Sequence, residues 1–110
     1  MSERVRKARA LDSIERYVQR CCDAAVETVR NSEHFQVIIA CDVFDIVTET
    51  SELYGVDFDS LERESMRMLH DSLQRSLRPL CEVRYVKPFE MDGRTVGMTA
   101  KVYKLERRTA

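Results

Sequence analysis

The side chains of this chain that could do chemistry fall into three groups: cysteines with histidines, an arginine-rich stretch and an acidic stretch. The first group has no metal-binding pattern, because two of the cysteines are adjacent and the others stand 19 and 40 residues further on. Neither histidine lies at zinc-finger spacing from a cysteine. We therefore predict no metal site, no cofactor, and reduced thiols buried like small apolar side chains. The residues concerned are Cys21, Cys22, Cys41, Cys81, His34 and His70.

Known catalytic motifs are absent from the sequence. It has no phosphate-binding loop, no glycine-rich dinucleotide fingerprint, no zinc-protease helix and no nucleophile elbow. The acidic residues between 42 and 59 lack the glycine and the closing glutamate of a calcium loop. A cysteine–histidine nucleophile pair has no local signature either. We predict a protein without enzymatic activity.

The arginine-rich stretch runs through a leucine repeat. With Leu61, Leu69, Leu73 and Leu77 on the inner face of a helix, the outward positions hold Arg63, Arg67, His70 and Gln74. Arginine and glutamine are the side chains that make paired hydrogen bonds to guanine and adenine edges. Further along, Lys87, Arg94 and Lys101 are cations able to neutralise phosphates. These outward residues and cations are the predicted nucleic-acid-binding set; the alternative is a solvated face with no partner.

The acidic stretch is the strongest departure from an even charge distribution. Residues 42–64 hold eight acidic residues and one basic residue, a net charge of −7 in a chain of net charge −1. Asp45, Glu49 and Glu52 share one helix face because they are four and three residues apart. With Asp57 and Asp59 they form the predicted protein-binding surface, suited to a basic partner or to imitating nucleic-acid phosphates. An ordinary solubilising face is the alternative.

One long helix is predicted over the first thirty residues. Its apolar residues recur at alternating spacings of three and four, with Ser2 as N-cap and Asn31 near its end. The stripe consists of Leu11, Ile14, Val18, Cys21, Ala25 and Val29. Such a face packs either against the domain's own core or against a second copy of the helix, and the second arrangement would give a homodimer.

Two more helices follow a short apolar segment. The run 35–41 is rich in β-branched residues, which favours a buried strand, although the first turns of a helix fit it as well. Asp42 is the expected N-cap of a second helix that ends at Gly55. Asp59, with a glutamate three residues later, is the expected start of a third helix over 60–77.

The remainder changes to the period of two that is typical of strands. Cys81, Val83 and Tyr85 alternate with polar residues, and residues 96–102 do the same. The connecting segment 87–94 contains an Asp-Gly pair, which favours a turn. The predicted fold class is α+β, with three helices and a small antiparallel sheet that ends in a C-terminal β-hairpin.

The order of these elements, α-β-α-α-β-β, resembles that of a winged helix over residues 10–105. The resemblance implies that the third helix lies in the major groove of DNA and that the loop between the last two strands contacts the backbone or the minor groove. We predict a single domain over 1–110. Its predicted parts are a basic arm at 1–9, a helical part at 10–78, a hairpin at 80–105 and a short tail at 106–110.

Two functions follow as hypotheses. The first is a small non-catalytic regulator that binds double-stranded DNA through the third helix and the hairpin. It would be cytoplasmic, since the sequence has neither a signal-peptide pattern nor an apolar run long enough for a bilayer. The second is an inhibitor or adaptor that binds a nucleic-acid-binding protein through the acidic surface. Small phage antagonists of nucleic-acid-processing or defence complexes have a similar charge profile.

Overall fold

Three helices and three strands make up the part of the chain that the computed structural model describes, residues 2–105. They follow the predicted order, and the sheet is antiparallel. The fold is therefore α+β with a C-terminal hairpin, and the predicted tail at 106–110 lies outside the described residues. The elements are α1 (Glu3–Asn31), β1 (Gln36–Asp42), α2 (Phe44–Tyr54), α3 (Phe58–Leu77), β2 (Cys81–Met91) and β3 (Arg94–Lys104).

Helix α1 begins after Ser2, whose hydroxyl accepts a hydrogen bond from the first turn at 3.2 Å, as predicted. Residues 3–9 of the predicted basic arm form its first turns. Its buried stripe differs from the predicted one at two positions, because Ala10 and Cys22 are buried while Leu11 and Cys21 are half-buried. The stripe packs against α2 and α3 of the same chain. The face on which the homodimer prediction depends is thus occupied internally, and a dimer would need another surface.

Strand β3 is the centre of the sheet, with β1 on one side and β2 on the other. The run 35–41 therefore belongs to a strand and not to a helix. Only one face of β1 is buried, however, because its residues alternate between buried and exposed and Ile38 is 59% exposed. The helices cover only one face of the sheet, and so this apolar run is half-buried where the sequence predicted full burial.

The C-terminal hairpin is longer and tighter than the sequence predicted. Its strands continue to Met91 and from Arg94, so the segment 87–94 is mostly strand and the connection is a two-residue turn. Asp92 and Gly93 have φ of 51° and 74°, and the need for two positive φ values favours the Asp-Gly sequence. Pro88 lies within β2 because β2 is an edge strand, where a missing N–H breaks no internal ladder.

At the start of α2 and at the start of α3, an aspartate accepts a hydrogen bond from a backbone N–H. Asp42 is the last residue of β1, and its carboxylate accepts a hydrogen bond from the Phe44 N–H at 2.9 Å. The N-cap of α2 is Val43, so the prediction of Asp42 as N-cap was one residue too early. Helix α3 is capped by Asp57, which accepts from the Ser60 N–H at 3.0 Å. The predicted cap at Asp59 was therefore two residues too late, and Asp59 lies in the first turn.

The core lies between the inner face of the sheet and the three helices. Its centre consists of side chains with 0% exposure from every layer: Ile14, Val47, Leu61, Leu69, Leu73, Leu77, Ala100 and Val102. The leucines belong to the predicted stripe of α3, so the other side of α3 is held toward solvent. Among residues 2–105, no helix is both long and apolar enough to cross a membrane.

Candidate nucleic-acid interface

The outward face of α3 carries two exposed arginines one turn apart. Arg63 and Arg67 stand four residues apart on the side of the helix away from the leucine stripe. No ion pair given by the described residues engages either guanidinium group. Each group therefore keeps its planar set of donors for a base edge or a phosphate.

The other two predicted residues of this face already have partners. His70 Nδ1 lies 3.0 Å from Asp71 Oδ1. Gln74 Oε1 accepts a hydrogen bond from Arg78 at 2.7 Å. A bidentate contact to adenine needs both the oxygen and the nitrogen of the amide, so Gln74 can make it only after Arg78 releases the oxygen. Arg63 and Arg67 are thus better placed to bind a ligand than His70 and Gln74.

The predicted nucleic-acid-binding residues are not gathered on one surface. Lys87 and Lys101 lie on the outer face of the sheet, away from the helices, because Lys101 pairs with exposed Ile38 and Lys87 pairs with Thr99. They are separated from the α3 face because the hairpin is made of strands, which direct successive side chains to opposite faces. The helix and the sheet therefore present two distinct basic surfaces.

Arg94 occupies a third place, at the end of the hairpin. Its guanidinium carbon lies 4.9 Å from the ring centroid of Phe44, which meets the ring of Phe58 edge-on at 5.9 Å. These residues line a shallow groove of about 530 Å³ between the starts of α2, α3 and β3. Glu62 lines the same groove, so Arg94 has a carboxylate in its surroundings.

The outer face of the sheet also carries aromatic rings that sequence analysis did not assign to a site. The alternation in β2 predicts Tyr85 on the inner face with Val83. A register shift between these two residues makes Tyr85 pair with Lys101, which turns its ring outward. Tyr103 lies two residues beyond Lys101 in β3 and shares that face. The alternating pattern of one strand gives no signal for a bulge, which explains why Tyr85 was missed.

The predicted protein-binding carboxylates of α2 are exposed in the predicted arrangement. Asp45, Glu49 and Glu52, here called the acidic ridge, are all exposed on one side of the helix. Leu53 follows directly and is 78% exposed, although its helical spacing predicts an inward position. The ridge therefore borders a large uncovered apolar side chain.

Other carboxylates of the acidic stretch have structural roles. Asp57 caps α3, Asp42 accepts a hydrogen bond from the first residue of α2, and Glu64 Oε1 lies 2.8 Å from Lys7 Nζ, joining α3 to α1. Asp59 is exposed in the first turn of α3, where a negative charge favours the helix dipole. The negative charge of this stretch is thus explained in part by the way its helices begin.

Comparison with known proteins assigns no function to these surfaces. No protein-family model, no curated protein and no solved structure matches the chain. Within residues 2–105, no group of three or more histidine, cysteine, aspartate and glutamate side chains is placed to hold a metal ion. Function is therefore inferred from the surfaces themselves.

Two cysteine thiols from different elements share a hydrogen bond. Cys21 of α1 is half-buried, and Cys41 of β1 is buried. A hydrogen bond from the Cys41 thiol lowers the pKa of Cys21 to about 7, and the Tyr17 hydroxyl and the charge of Arg20 act in the same direction against desolvation. The same hydrogen bond raises the pKa of Cys41. Cys21 is therefore the cysteine with most thiolate at neutral pH.

We expect iodoacetamide to modify Cys21 selectively, with a rate that rises as pH increases through about 7 and levels off above it. Cys41→Ala removes the hydrogen-bond donor, and the apparent pKa should then rise toward the usual value of about 8.5. Mass spectrometry of the labelled native protein measures both rates. The assignment is wrong if the two proteins show the same pH midpoint, or if Cys22 or Cys81 is labelled first.

Proposed function

We propose that the protein is a small non-catalytic regulator that binds double-stranded DNA in the cytoplasm, with Arg63 and Arg67 as its principal contacts. The observation that carries the proposal is the exposed arginine pair on the outward face of α3. The chain around it has the element order of a winged helix, in which the corresponding helix enters the major groove. Arginine is also the side chain that most often reads guanine.

The rigidity of α3 supports the proposal. Its four stripe leucines have 0% exposure, so the helix has little freedom to rotate about its axis. Base recognition requires side chains held on a rigid element, because small displacements break bidentate hydrogen bonds. The arginines have such a support, and their long side chains span the remaining distance to a base edge.

The charge along α3 indicates how the helix would approach DNA. Its start lies beside the acidic ridge and Asp59, which repel phosphates, whereas Arg75 and Arg78 near its end are exposed cations. The favourable orientation therefore places the end of α3 nearest to the phosphate backbone and turns the ridge away from it. Arg63 and Arg67 then face the groove.

The test is fluorescence anisotropy of a labelled mixed-sequence duplex, titrated at about 50 mM and about 200 mM salt. We expect binding that weakens steeply with salt, because phosphate contacts release counterions. The Arg63→Ala/Arg67→Ala variant should lose at least about tenfold in affinity, since each lost bidentate contact is worth about 1–3 kcal/mol.

The matched control is Arg16→Ala/Arg20→Ala, which removes the same charge at the same spacing from an exposed part of α1. It should change the affinity much less than the α3 variant. Equal losses in the two variants would mean that only net charge matters and would remove α3 from the interface. An unchanged affinity in the α3 variant would do the same.

A second function is supported by the acidic ridge and its exposed neighbour Leu53. An apolar anchor bordered by carboxylates suits a basic protein surface, so the alternative is an inhibitor or adaptor that binds a nucleic-acid-binding protein. Asp59 extends the same negative surface onto α3. The two functions separate in the duplex titration, because a phosphate-imitating surface predicts no duplex binding even at low salt.

A further inference from the structure

The outer face of the sheet is a surface with its own chemistry. It is the face opposite the helices, and Ile38 of β1 on this face is 59% exposed. Phe35, just before β1, is 57% exposed and its ring lies 5.4 Å from that of Tyr103. Further members of this face include Arg84, Tyr85, Lys87 and Lys101.

Cations and aromatic rings lie side by side across this face. Lys87 Nζ lies 4.6 Å from the ring centroid of Tyr85. The Arg84 guanidinium and Lys101 Nζ lie 5.6 Å and 5.9 Å from the ring centroid of Tyr103. Each ring is therefore accompanied by a positive charge within the range of cation–π attraction.

The two tyrosines are diagonal neighbours on adjacent strands. Tyr85 pairs with Lys101, and Tyr103 is two residues further along β3. Diagonal positions of this kind are about 7–8 Å apart. Two rings at this separation can each stack on a flat group of a ligand, and the flanking cations can bind negative charges between those groups. Such a surface suits a polymer with flat groups along a negatively charged backbone.

The shape of the surface selects among ligands with such a backbone. The major groove of duplex DNA admits a helix or a two-stranded ribbon, whereas this face is three strands wide. The bases of a duplex are also stacked on one another and offer no free ring faces. Single strands expose their bases, which stack on aromatic side chains while cations contact the phosphates.

We propose that the outer sheet face binds single-stranded nucleic acid, with Tyr85 and Tyr103 stacking on bases and Lys87, Lys101 and Arg84 contacting phosphates. This site goes beyond the duplex-binding function, because it uses residues on the opposite side of the sheet from α3. Glu82 lies 3.5 Å from Arg84 and weakens the positive charge at one end, so the central lysines carry most of the phosphate contacts.

The test uses the full chain with labelled thymidine and uridine oligonucleotides of about 15 nucleotides, a length in the range that a small single-strand-binding domain covers. The Tyr85→Leu/Tyr103→Leu variant keeps apolar side chains and removes the rings. Its affinity should fall at least about tenfold for both oligonucleotides, or for the one that the original protein prefers. Tyr85→Phe/Tyr103→Phe keeps the rings and should bind like the original protein. Tyr54→Leu, a half-buried tyrosine of α2, is the matched control.

Salt dependence and a competitor complete the test. Lys87→Ala/Lys101→Ala should reduce the slope of log affinity against log salt by about 1.4, because each phosphate contact on a single strand contributes about 0.7. Binding that is absent at low salt, or unchanged by loss of the rings, overturns the proposal. Equal displacement by an acidic peptide overturns it as well, because the surface would then recognise negative charge alone. Circular dichroism melts establish that each variant is folded.

The duplex titration keeps the two proposals apart. Loss of the arginine pair of α3 should weaken duplex binding and leave single-strand binding unchanged. Loss of the tyrosine rings should have the opposite pattern. Parallel losses in both titrations would show that the surfaces are not separate and would contradict this assignment.

Discussion

Gly97→Ala is expected to destabilise the protein by more than about 3 kcal/mol, because the added methyl group would overlap backbone atoms of β1. Gly97 pairs with Asp42 at the point where β1 leaves the sheet and enters α2. A Cβ on Gly97 would lie 1.7 Å from the carbonyl oxygen of Cys41 and 3.0 Å from the Cα of Asp42. Both obstacles are backbone atoms, so no side-chain rotation relieves the overlap.

The cost arises because the edge of the sheet would have to open. The Val43 N–H donates to the Val96 carbonyl at 2.8 Å immediately beside Gly97, and separating β1 from β3 would break this hydrogen bond. Val43 is 1% exposed, so its movement would also disturb the core. Since small domains have about 5–15 kcal/mol of stability, the variant should unfold at much lower urea concentration.

Gly93→Ala is the matched control, because it adds the same methyl group in the two-residue turn that precedes β3. No atom lies within 4 Å of a Cβ at Gly93, and only its φ of 74° opposes the substitution. A left-handed residue with a side chain costs about 1–2 kcal/mol. Urea unfolding followed by circular dichroism compares the two variants. Similar free energies of unfolding would show that Gly97 is not crowded.

The sequence predicted the element order because each element has a strong local signal. The leucine stripe of α3 and the Ser2 cap of α1 are local patterns, and both are confirmed. The Asp-Gly turn is equally local, since Asp92 and Gly93 adopt the positive φ values that the turn needs. These features do not depend on which distant segment packs against them.

The surfaces were less predictable because they depend on tertiary pairing. The outward position of Tyr85 results from a register shift against β3, which no residue of β2 reveals by itself. Leu53 is 78% exposed, although its spacing in α2 is that of a buried residue. The close approach at Gly97 cannot be predicted from the sequence either, because it depends on the pairing of β1 with β3.

The basic residues lie on different surfaces and not on the one surface that the sequence predicted, for the same reason. A loop at 87–94 would have let Lys87 and Arg94 lie on the same surface as the outward face of α3. In the structure these residues lie in paired strands, and the pleat fixes Lys87 on the outer sheet face while Arg94 lies over Phe44. The basic residues are therefore divided between the outward face of α3 and the outer face of the sheet.

Leu69→Ala is expected to cost about 2–5 kcal/mol, because it removes a large side chain with 0% exposure and leaves a cavity. Leu53→Ala is the matched control: the same chemical change at a side chain that is 78% exposed should cost less than about 0.5 kcal/mol. Thermal unfolding measures the difference, which should exceed about 8 °C for a domain of this size. Equal melting temperatures would mean that the stripe does not anchor α3.

The same comparison links stability to the proposed interface. Leu69 lies between Arg67 and His70 in sequence and points to the opposite side of α3, so its burial determines which face of the helix meets solvent. If the folded fraction of Leu69→Ala still binds duplex DNA, its affinity should be lower than that of Leu53→Ala at the same temperature, because α3 holds the arginines less firmly. An identical affinity for the two folded variants would show that the rigid setting of α3 is not needed for DNA binding.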